Sequence, residues 1–151
     1  MEIARSIDIT ASPDRVWAVM ADVTRWPEWT ASVTSVELLD GDVLRVGGRA
    51  LVNQPKLPPA RFVVTSLDPG RGFVWRTGGF VVRATARHEI EATSTGSRVT
   101  LAVHFGGLLG WLAGLPYRKL TREYLDLEAE GLKARSEATS GWPGDSSASA
   151  E

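Results

Sequence analysis

The sequence feature that most constrains the fold is an amphipathic segment near the C-terminal end, residues 116–136. Charged side chains fill many of its positions, but apolar or small residues recur at spacings of four and three, namely Leu120, Tyr124, Leu127, Gly131 and Ala134. This spacing predicts a long helix with one buried face. Pro116 suits the first turn of a helix and is predicted to mark the start. A helix with one apolar face needs a partner surface, which the preceding residues must supply.

Composition favours one domain and argues against several classes of protein. With 151 residues and 43% hydrophobic content, the chain can bury one sizeable core. The 17 Lys and Arg are balanced by 18 Asp and Glu, so no net charge attracts nucleic acid. Cysteine is absent, which removes disulfides, thiolate nucleophiles and cysteine-bound metals. Because no signal peptide and no segment suited to stable membrane insertion is evident, we expect a cytoplasmic protein.

Residues 2–30 predict a strand followed by two short helices. Residues 2–10 alternate between apolar and polar side chains, as a strand does. Ser12 can cap the amides of a following turn and Pro13 suits its first position, so a helix is predicted to begin there. The stretch Trp26-Pro27-Glu28-Trp29 predicts the second, shorter helix.

Residues 33–105 consist of short β-rich runs separated by glycine, proline or aspartate, which is typical of an antiparallel meander. The clearest hairpin turn contains Pro69 and Gly70. Gly47 and Gly48 predict a kink or bulge within the second of these strands. Six strands are predicted, at residues 33–39, 43–54, 61–67, 73–77, 81–93 and 98–105.

Alternation along the last two strands predicts which side chains face the terminal helix. His88 shares the inward, apolar face with Ala84 and Ala86, whereas His104 falls on the outer face of its strand. Strands that pack tightly against a helix more often carry large branched side chains. The two small alanines therefore indicate a cavity.

Two further segments are distinctive. Residues 106–115 are apolar on all sides but rich in glycine, and they predict either a mobile entrance or helical lead-in, or a buried connection. The last residues are mostly Ser, Ala, Thr, Gly, Pro and Asp, which bury too little apolar area to offset the entropy of ordering. We expect one domain over residues 1–137 and a disordered tail over residues 138–151.

Four separated segments carry a family resemblance: residues 9–17 (ITASPDRVW), 22–29 (DVTRWPEW), 67–71 (LDPGR) and 130–133 (EGLK). In this order they resemble the START-like (SRPBCC) superfamily, in its bacterial polyketide cyclase/dehydrase and lipid-transport branch. The resemblance implies the helix-grip fold, an α+β architecture. A strand and two short helices precede six antiparallel strands, and the curved sheet wraps around a long C-terminal helix. Because this superfamily includes cyclases, carriers, receptors and chaperone cofactors, the fold alone does not decide the function.

The resemblance further implies a hydrophobic cavity between the sheet and the terminal helix. Alternation and aromatic content place Trp75, His88, Phe105 and Tyr124 on this cavity. Candidates for its rim are Trp26, Trp29, Phe62, Phe73, Leu112 and Tyr117. The alternative for each residue is a place in an ordinary core. Tyr124 distinguishes the two, since its hydroxyl should either point into an open pocket or find a protein partner.

His88 is the candidate for general acid-base chemistry, because an imidazole on an apolar face could move a proton at an enolisable carbon. The alternative is a core histidine satisfied by one hydrogen bond. Arg49 and Arg87 could orient a ligand carbonyl, but alternation places Arg87 outward and Arg49 lies beside the predicted kink. The sequence contains no nucleophile elbow, phosphate-binding glycine loop, metal-ligand cluster or dinucleotide motif. It therefore predicts neither a metal nor a cofactor.

Three functions are compatible with these features. The first is binding of a small hydrophobic ligand, such as a lipid, a polyketide or an aromatic molecule. The second is a polyketide cyclase or aromatase that uses the same cavity with His88 as its acid-base group, so enzymatic activity is left open. The third is a chaperone-cofactor-like interaction domain that acts through its outer surface. The expected partner is a small hydrophobic molecule and not nucleic acid, and the oligomeric state is undetermined.

Overall fold

The computed structural model describes residues 1–138, which form seven β-strands, two α-helices and a short 3₁₀ helix. Their order confirms the predicted one. The predicted tail at residues 138–151 lies outside the described residues, apart from Ala138 at the end of the terminal helix. The elements are β1 (Glu2–Ile9), α1 (Pro13–Ala21), the 3₁₀ helix (Val23–Glu28), β2 (Ser35–Leu38), β3 (Arg49–Asn53), β4 (Ala60–Asp68), β5 (Gly72–Gly78), β6 (Arg83–Thr93), β7 (Gly96–Gly106) and α2 (Gly110–Glu137).

The seven strands of residues 1–138 form one antiparallel sheet in the order β1-β7-β6-β5-β4-β3-β2. Strands β2 to β7 follow one another as a meander, and β1 extends the sheet by pairing with β7, with Ile3 opposite Val103. Helix α2 packs against β1 and β7, and α1 packs against α2. The curved sheet therefore wraps around α2, which confirms the helix-grip fold.

Local signals fix the two short helices. The Ser12 side chain accepts a hydrogen bond from the backbone N–H of Arg15 at 3.3 Å, as an N-cap should. The 3₁₀ helix begins at Val23, earlier than the sequence predicted. Trp26 is buried, and its indole N–H donates to the Met20 carbonyl at 2.9 Å. This hydrogen bond fastens the 3₁₀ helix to α1.

The region between β2 and β3 corrects the prediction of a strand over residues 43–54. Strand β3 begins only at Arg49, and Val43 and Val46 are exposed. The Asp40 carboxylate accepts hydrogen bonds from the backbone N–H and the guanidinium of Arg49 at 2.8–2.9 Å. The side-chain bond contributes most to lowering the pKa of Asp40 to about 2. This local closure makes residues 39–48 a loop, so the β-rich run at residues 43–46 does not extend β3.

Helix α2 begins at Gly110, so the prediction that Pro116 marks its start is wrong. Pro116 lies inside the helix, where it cannot donate a hydrogen bond to the Leu112 carbonyl. The preceding turns pack closely on Phe105: a Cβ on Gly110 would lie 2.9 Å from the Phe105 carbonyl carbon, and one on Gly114 would lie 3.0 Å from its ring. Residues 110–115 are therefore a helical lead-in, and the large side chains among them are exposed.

The buried face of α2 is rotated relative to the predicted stripe. Leu127 is 43% exposed and Ala134 is also exposed. Glu128 and Ser136 are polar, so a prediction from apolar periodicity passes over them. The buried residues of the helix beyond Pro116 are Leu125, Glu128, Ala129, Leu132 and Ser136.

The C-terminal half of α2 is anchored to the 3₁₀ helix. A Cβ on Gly131 would lie 1.9 Å from the Trp29 carbonyl oxygen, so only glycine permits this approach. Nearby, Arg135 donates to the Glu28 carboxylate at 2.9 Å. Hydrogen bonds from Arg25, and then from Arg135, lower the pKa of Glu28 from 4.5 to about 2.

Candidate functional site

A cavity of about 390 Å³ lies between the sheet and α2. This volume falls within the range of roughly 300–1,000 Å³ that is typical of small-molecule sites. Ala84 and Ala86 of β6 leave space on the sheet side, and Leu120 and Leu125 of α2 contribute to the opposite wall. The lining is predominantly apolar, with a few polar side chains at separate points.

One end of the cavity is closed by a cluster of rings that we call the aromatic floor, formed by Trp26, Phe73, Trp75 and His88. The His88 imidazole stacks on Phe73 with ring centres 4.2 Å apart and planes 9° apart. Trp26 and Trp75 lie 5.4 Å and 5.8 Å from the His88 ring. Contacts on several sides hold the imidazole in one orientation.

Glycine at the start of β5 makes this arrangement possible. Gly72 has a φ of +152°, and a Cβ there would lie 2.0 Å from the His88 carbonyl oxygen. Any other residue would push β5 away from β6 at the level of the floor. Gly72 therefore sets the distance at which Phe73 meets His88.

His88 makes two polar contacts. Its Nδ1 lies 3.4 Å from the Phe73 carbonyl oxygen, and its Nε2 lies 3.4 Å from Oε1 of Glu128. His88 is 4% exposed and Glu128 8% exposed. Since the Phe73 carbonyl can only accept, Nδ1 carries a hydrogen in the first contact. In the other neutral tautomer the hydrogen is on Nε2 and can be donated to the Glu128 carboxylate, so each contact suits one tautomer of the imidazole.

Glu128 is the site residue that the sequence prediction missed. It belongs to the predicted polar surface of α2 by residue type, but it lies three residues after Leu125 and four before Leu132 on the buried face. A carboxylate in phase with two buried leucines is the signal that could have identified it. Its burial is tolerated because His88 faces it.

Tyr124 connects α2 to the loop between β3 and β4. Its ring lines the cavity, and its hydroxyl donates a hydrogen bond to the Pro55 carbonyl. Of the two predicted outcomes for the hydroxyl, the structure shows the second, a protein partner, while the ring itself borders the cavity. Desolvation, with a smaller effect of Glu123, raises the pKa of the Tyr124 hydroxyl. Leu57, from the same loop, also lines the cavity, so this hydrogen bond closes one side of it.

The structure brings together most of the residues that the sequence placed at the site. Three predicted residues lie elsewhere. Phe73 is beneath His88 in the floor, Trp29 packs on Trp26 at 5.6 Å, and Leu112 is 50% exposed outside the cavity. The predicted residues that line the cavity are Trp26, Phe62, Trp75, His88, Phe105, Tyr117 and Tyr124.

Both candidate arginines form ion pairs, although Arg87 also borders the cavity. Arg49 forms the ion pair with Asp40 described above. The Arg87 guanidinium pairs with Glu2 at 3.1 Å and Glu89 at 2.8 Å. Across residues 1–138, no three His, Asp or Glu side chains are grouped so that they could hold a metal ion.

A curved antiparallel sheet that grips a C-terminal helix defines a helix-grip protein of the START-like superfamily. The model of the polyketide cyclase/dehydrase and lipid transport family matches residues 1–137, and the chain belongs to this family. Membership indicates, in general terms, that the protein binds a small hydrophobic ligand. No helix among residues 1–138 combines the length and apolar character needed to cross a membrane.

Several solved structures share the fold. A hypothetical protein from Helicobacter pylori has a TM-score of 0.76 at 11% identity, covering 91% of this chain and 88% of that one. A protein from Thermus thermophilus gives 0.72 at 19% identity, with 93% and 100% covered. One from Mesorhizobium loti gives 0.69 at 14% identity, with 91% and 100% covered. At these identities the likeness shows the fold alone, and no curated protein matches the sequence directly.

Proposed function

We propose that this protein binds a small hydrophobic molecule, such as a lipid, a polyketide or an aromatic compound, in the cavity between the sheet and α2. The observation that carries the proposal is the predominantly apolar cavity of about 390 Å³. The aromatic floor at one end of this cavity is closely packed. Protein atoms that line a cavity of this size have no protein contacts on the side that faces it. A ligand that fills it gains dispersion contacts and removes its own apolar surface from water.

The lining supports a ligand that is apolar along most of its length and carries one neutral polar group. His88, which belongs to the aromatic floor, and its neighbour Glu128 both face the cavity. A hydroxyl or carbonyl oxygen placed there would find hydrogen-bonding partners that are already buried. An anionic group would instead be desolvated close to the Glu128 carboxyl, which is costly. The supported class is therefore a neutral molecule with a hydroxyl or keto group at one end.

Filling the cavity tests the proposal. Ala86→Phe places a ring where β6 borders the space, whereas Ala134→Phe adds the same ring to an exposed position of α2. A fluorescent apolar probe should bind the wild type and Ala134→Phe and should not bind Ala86→Phe. Circular dichroism checks that both variants fold. Equal probe binding by the two variants, or an absence of binding by the wild type, would exclude the cavity as the binding site.

Native mass spectrometry identifies the ligand class. Protein purified from its host under non-denaturing conditions should carry a small molecule in the wild type and lose it in Ala86→Phe. The mass of that molecule distinguishes an acyl lipid from a polyketide. A ligand retained equally by Ala86→Phe would place the binding site outside this cavity.

A polyketide cyclase or aromatase is the second candidate function, and the position of Glu128 beside His88 favours it. A carboxylate near Nε2 can stabilise the imidazolium that forms when His88 removes a proton from an enolisable carbon. The same proton can then return to a substrate oxygen, so the pair would complete a cycle without a cofactor. This chemistry requires the substrate to reach Nε2 by displacing the Glu128 contact.

His88→Gln separates the two functions, because glutamine keeps polar character and much of the volume but cannot cycle a proton. A cyclase should lose turnover of a poly-β-ketone substrate in this variant while probe binding persists. If the protein is a carrier, His88→Gln should bind the probe almost as tightly as the wild type does. Neither the wild type nor the variant should then form product. Product formation that is unchanged in His88→Gln would remove His88 from the mechanism.

A further inference from the structure

Large apolar side chains are exposed together at the end of the molecule opposite the aromatic floor. They come from the loop between β5 and β6 and from the start of α2. We call this surface the apolar tip. It consists of Phe80, Val81, Leu108, Leu109, Trp111, Leu112 and Leu115, which are 48–74% exposed. Apolar patches of this kind on a folded surface mark sites of interaction.

Backbone contacts hold the two segments of the apolar tip side by side. The backbone N–H of Leu108 donates to the Phe80 carbonyl at 3.1 Å, and that of Leu109 donates to the Val81 carbonyl at 2.9 Å. Gly107 has a φ of +88°, and a Cβ there would lie 2.6 Å from the Val81 carbonyl oxygen. The outward position of these side chains is thus built into the fold.

Positive charge continues from the apolar tip along α2. Trp111, Leu115, Arg118 and Arg122 recur at spacings of four, three and four, and therefore share one face of the helix. Lys119 is also exposed. Within residues 1–138, no ion-pair partner is found for Arg118, Lys119 or Arg122.

Acidic residues are absent from both segments that build the apolar tip. Residues 69–88 and 92–122 contain no Asp or Glu, although the chain has 18 of them against 17 Lys and Arg. A carboxylate on the neighbouring strand, that of Glu2, is paired with Arg87. The charged side chains on α2 up to Arg122 are therefore all positive, and the first acidic residue of the helix, Glu123, follows them.

We propose that the apolar tip docks this protein on an anionic membrane surface. Leucine, phenylalanine and tryptophan side chains at the tip would enter the boundary between headgroups and acyl chains, and Arg118, Lys119 and Arg122 would contact the lipid phosphates. The docking is peripheral and needs no spanning helix. This proposal rests on the tip and its charges, and it goes beyond ligand binding in the cavity.

Charge favours a membrane over a second copy of the chain. A two-fold dimer places the same surface of both subunits together, so the basic face next to the tip would meet its own copy. Lipid phosphates have the opposite charge. In addition, Val82, Phe105 and Tyr117 line the cavity and adjoin the tip segments in the chain, so docking would bring the cavity close to the bilayer.

Co-sedimentation with vesicles tests the docking. Wild-type protein should sediment with vesicles that mix phosphatidylcholine and phosphatidylserine, and much less with phosphatidylcholine alone. A triple variant, Phe80→Ser with Leu108→Ser and Trp111→Ser, should lose this binding. Val43→Ser with Val46→Ser, which changes exposed valines on the loop between β2 and β3, is the matched control and should bind like the wild type.

Charge reversal tests the second part of the proposal. Arg118→Glu with Arg122→Glu should weaken binding to the anionic vesicles about tenfold or more. Arg71→Glu, an exposed position at the other end of β5, should have little effect. Circular dichroism and apolar-probe binding should be unchanged in every variant, which separates loss of docking from loss of the cavity function.

Three results would overturn the proposal. The first is wild-type protein that does not sediment with anionic vesicles. The second is equal loss of binding in the tip variants and their matched controls. The third is a wild-type dimer that the triple serine variant converts to a monomer while vesicle binding is absent, because the tip would then be a surface between copies of this chain.

Discussion

The aromatic floor and the apolar tip contain similar side chains in opposite environments. Phe73, at the beginning of β5, is 2% exposed and stacked on His88, whereas Phe80, just beyond the end of the same strand, is 74% exposed. Burial of the apolar surface of the floor already contributes to the free energy of folding. At the tip the corresponding free energy is still available for contact with another surface. The comparison separates residues that build the cavity from residues that face outward next to it.

Truncating the two phenylalanines gives the largest expected contrast. Phe73→Ala removes a closely packed ring and is expected to lower the free energy of unfolding by about 3–5 kcal/mol. Phe80→Ala should change it by less than about 0.5 kcal/mol, because the ring has few contacts to lose. Urea unfolding followed by circular dichroism measures both. Comparable losses would mean that the tip is packed as the floor is.

The buried carboxylate gives the next largest effect. Glu128→Ala leaves Nε2 of His88 without its partner and should destabilise the fold by about 1–3 kcal/mol. Glu130→Ala, two residues away on α2, removes only an exposed pair with Arg5 and should cost less than about 1 kcal/mol. If the two variants unfold at the same urea concentration, the contact between His88 and Glu128 does not stabilise the floor.

A smaller effect is expected where α2 meets the loop between β3 and β4. Tyr124→Phe removes the hydrogen bond to Pro55 and should lower the free energy of unfolding by about 0.5–1.5 kcal/mol. Because that bond closes one side of the cavity, an apolar probe should also dissociate faster, which stopped-flow fluorescence can measure. Thr65→Val is the control, because it removes an exposed hydrogen bond to the Val74 carbonyl and Thr65 does not line the cavity. Identical dissociation rates would show that the Tyr124 contact does not limit exit.

The smallest expected effect is a change in folding stability at acidic pH. Hydrogen bonds from Arg25 and Arg135 lower the pKa of Glu28 from 4.5 to about 2. A carboxyl with a lowered pKa contributes stability above pH 4.5 and loses it as the pH falls towards 2. Glu28→Gln should therefore flatten the decline of the urea midpoint in this window, by a small amount because the group is exposed. The segments of the tip have no carboxylate and should contribute nothing to this decline.

Much of the fold was predictable because strand signals are local. Alternation identified the inward face of β6, and Pro69 with Gly70 identified the hairpin between β4 and β5. The same reasoning failed for residues 43–48, where Val43, Leu44 and Val46 form a β-rich run. There the Asp40–Arg49 ion pair closes a loop, and a contact between residues nine positions apart leaves no mark in a periodic pattern.

The candidate site was less accessible to prediction because it depends on tertiary contacts. His88 could be placed on the inward face, but Glu128 could not, since a charged residue on a helix is normally assigned to the solvent. The start of α2 was hidden for a related reason. Gly110 and Gly114 weaken a helix by propensity, yet they fit closely against Phe105, and this packing outweighs the interior proline.

The interior position of Pro116 gives α2 two mechanically unequal halves. The C-terminal half is clamped, with Gly131 against Trp29 and Arg135 bonded to Glu28. Near the other end, the Leu112 carbonyl lacks its helical donor, and helices bend most readily at such gaps. Because the C-terminal half of α2 is anchored, a displacement of the helix is expected to concentrate in the turns before Pro116. A ligand that widens the cavity would therefore tilt the first turns of α2, and faster amide hydrogen exchange there would report occupancy.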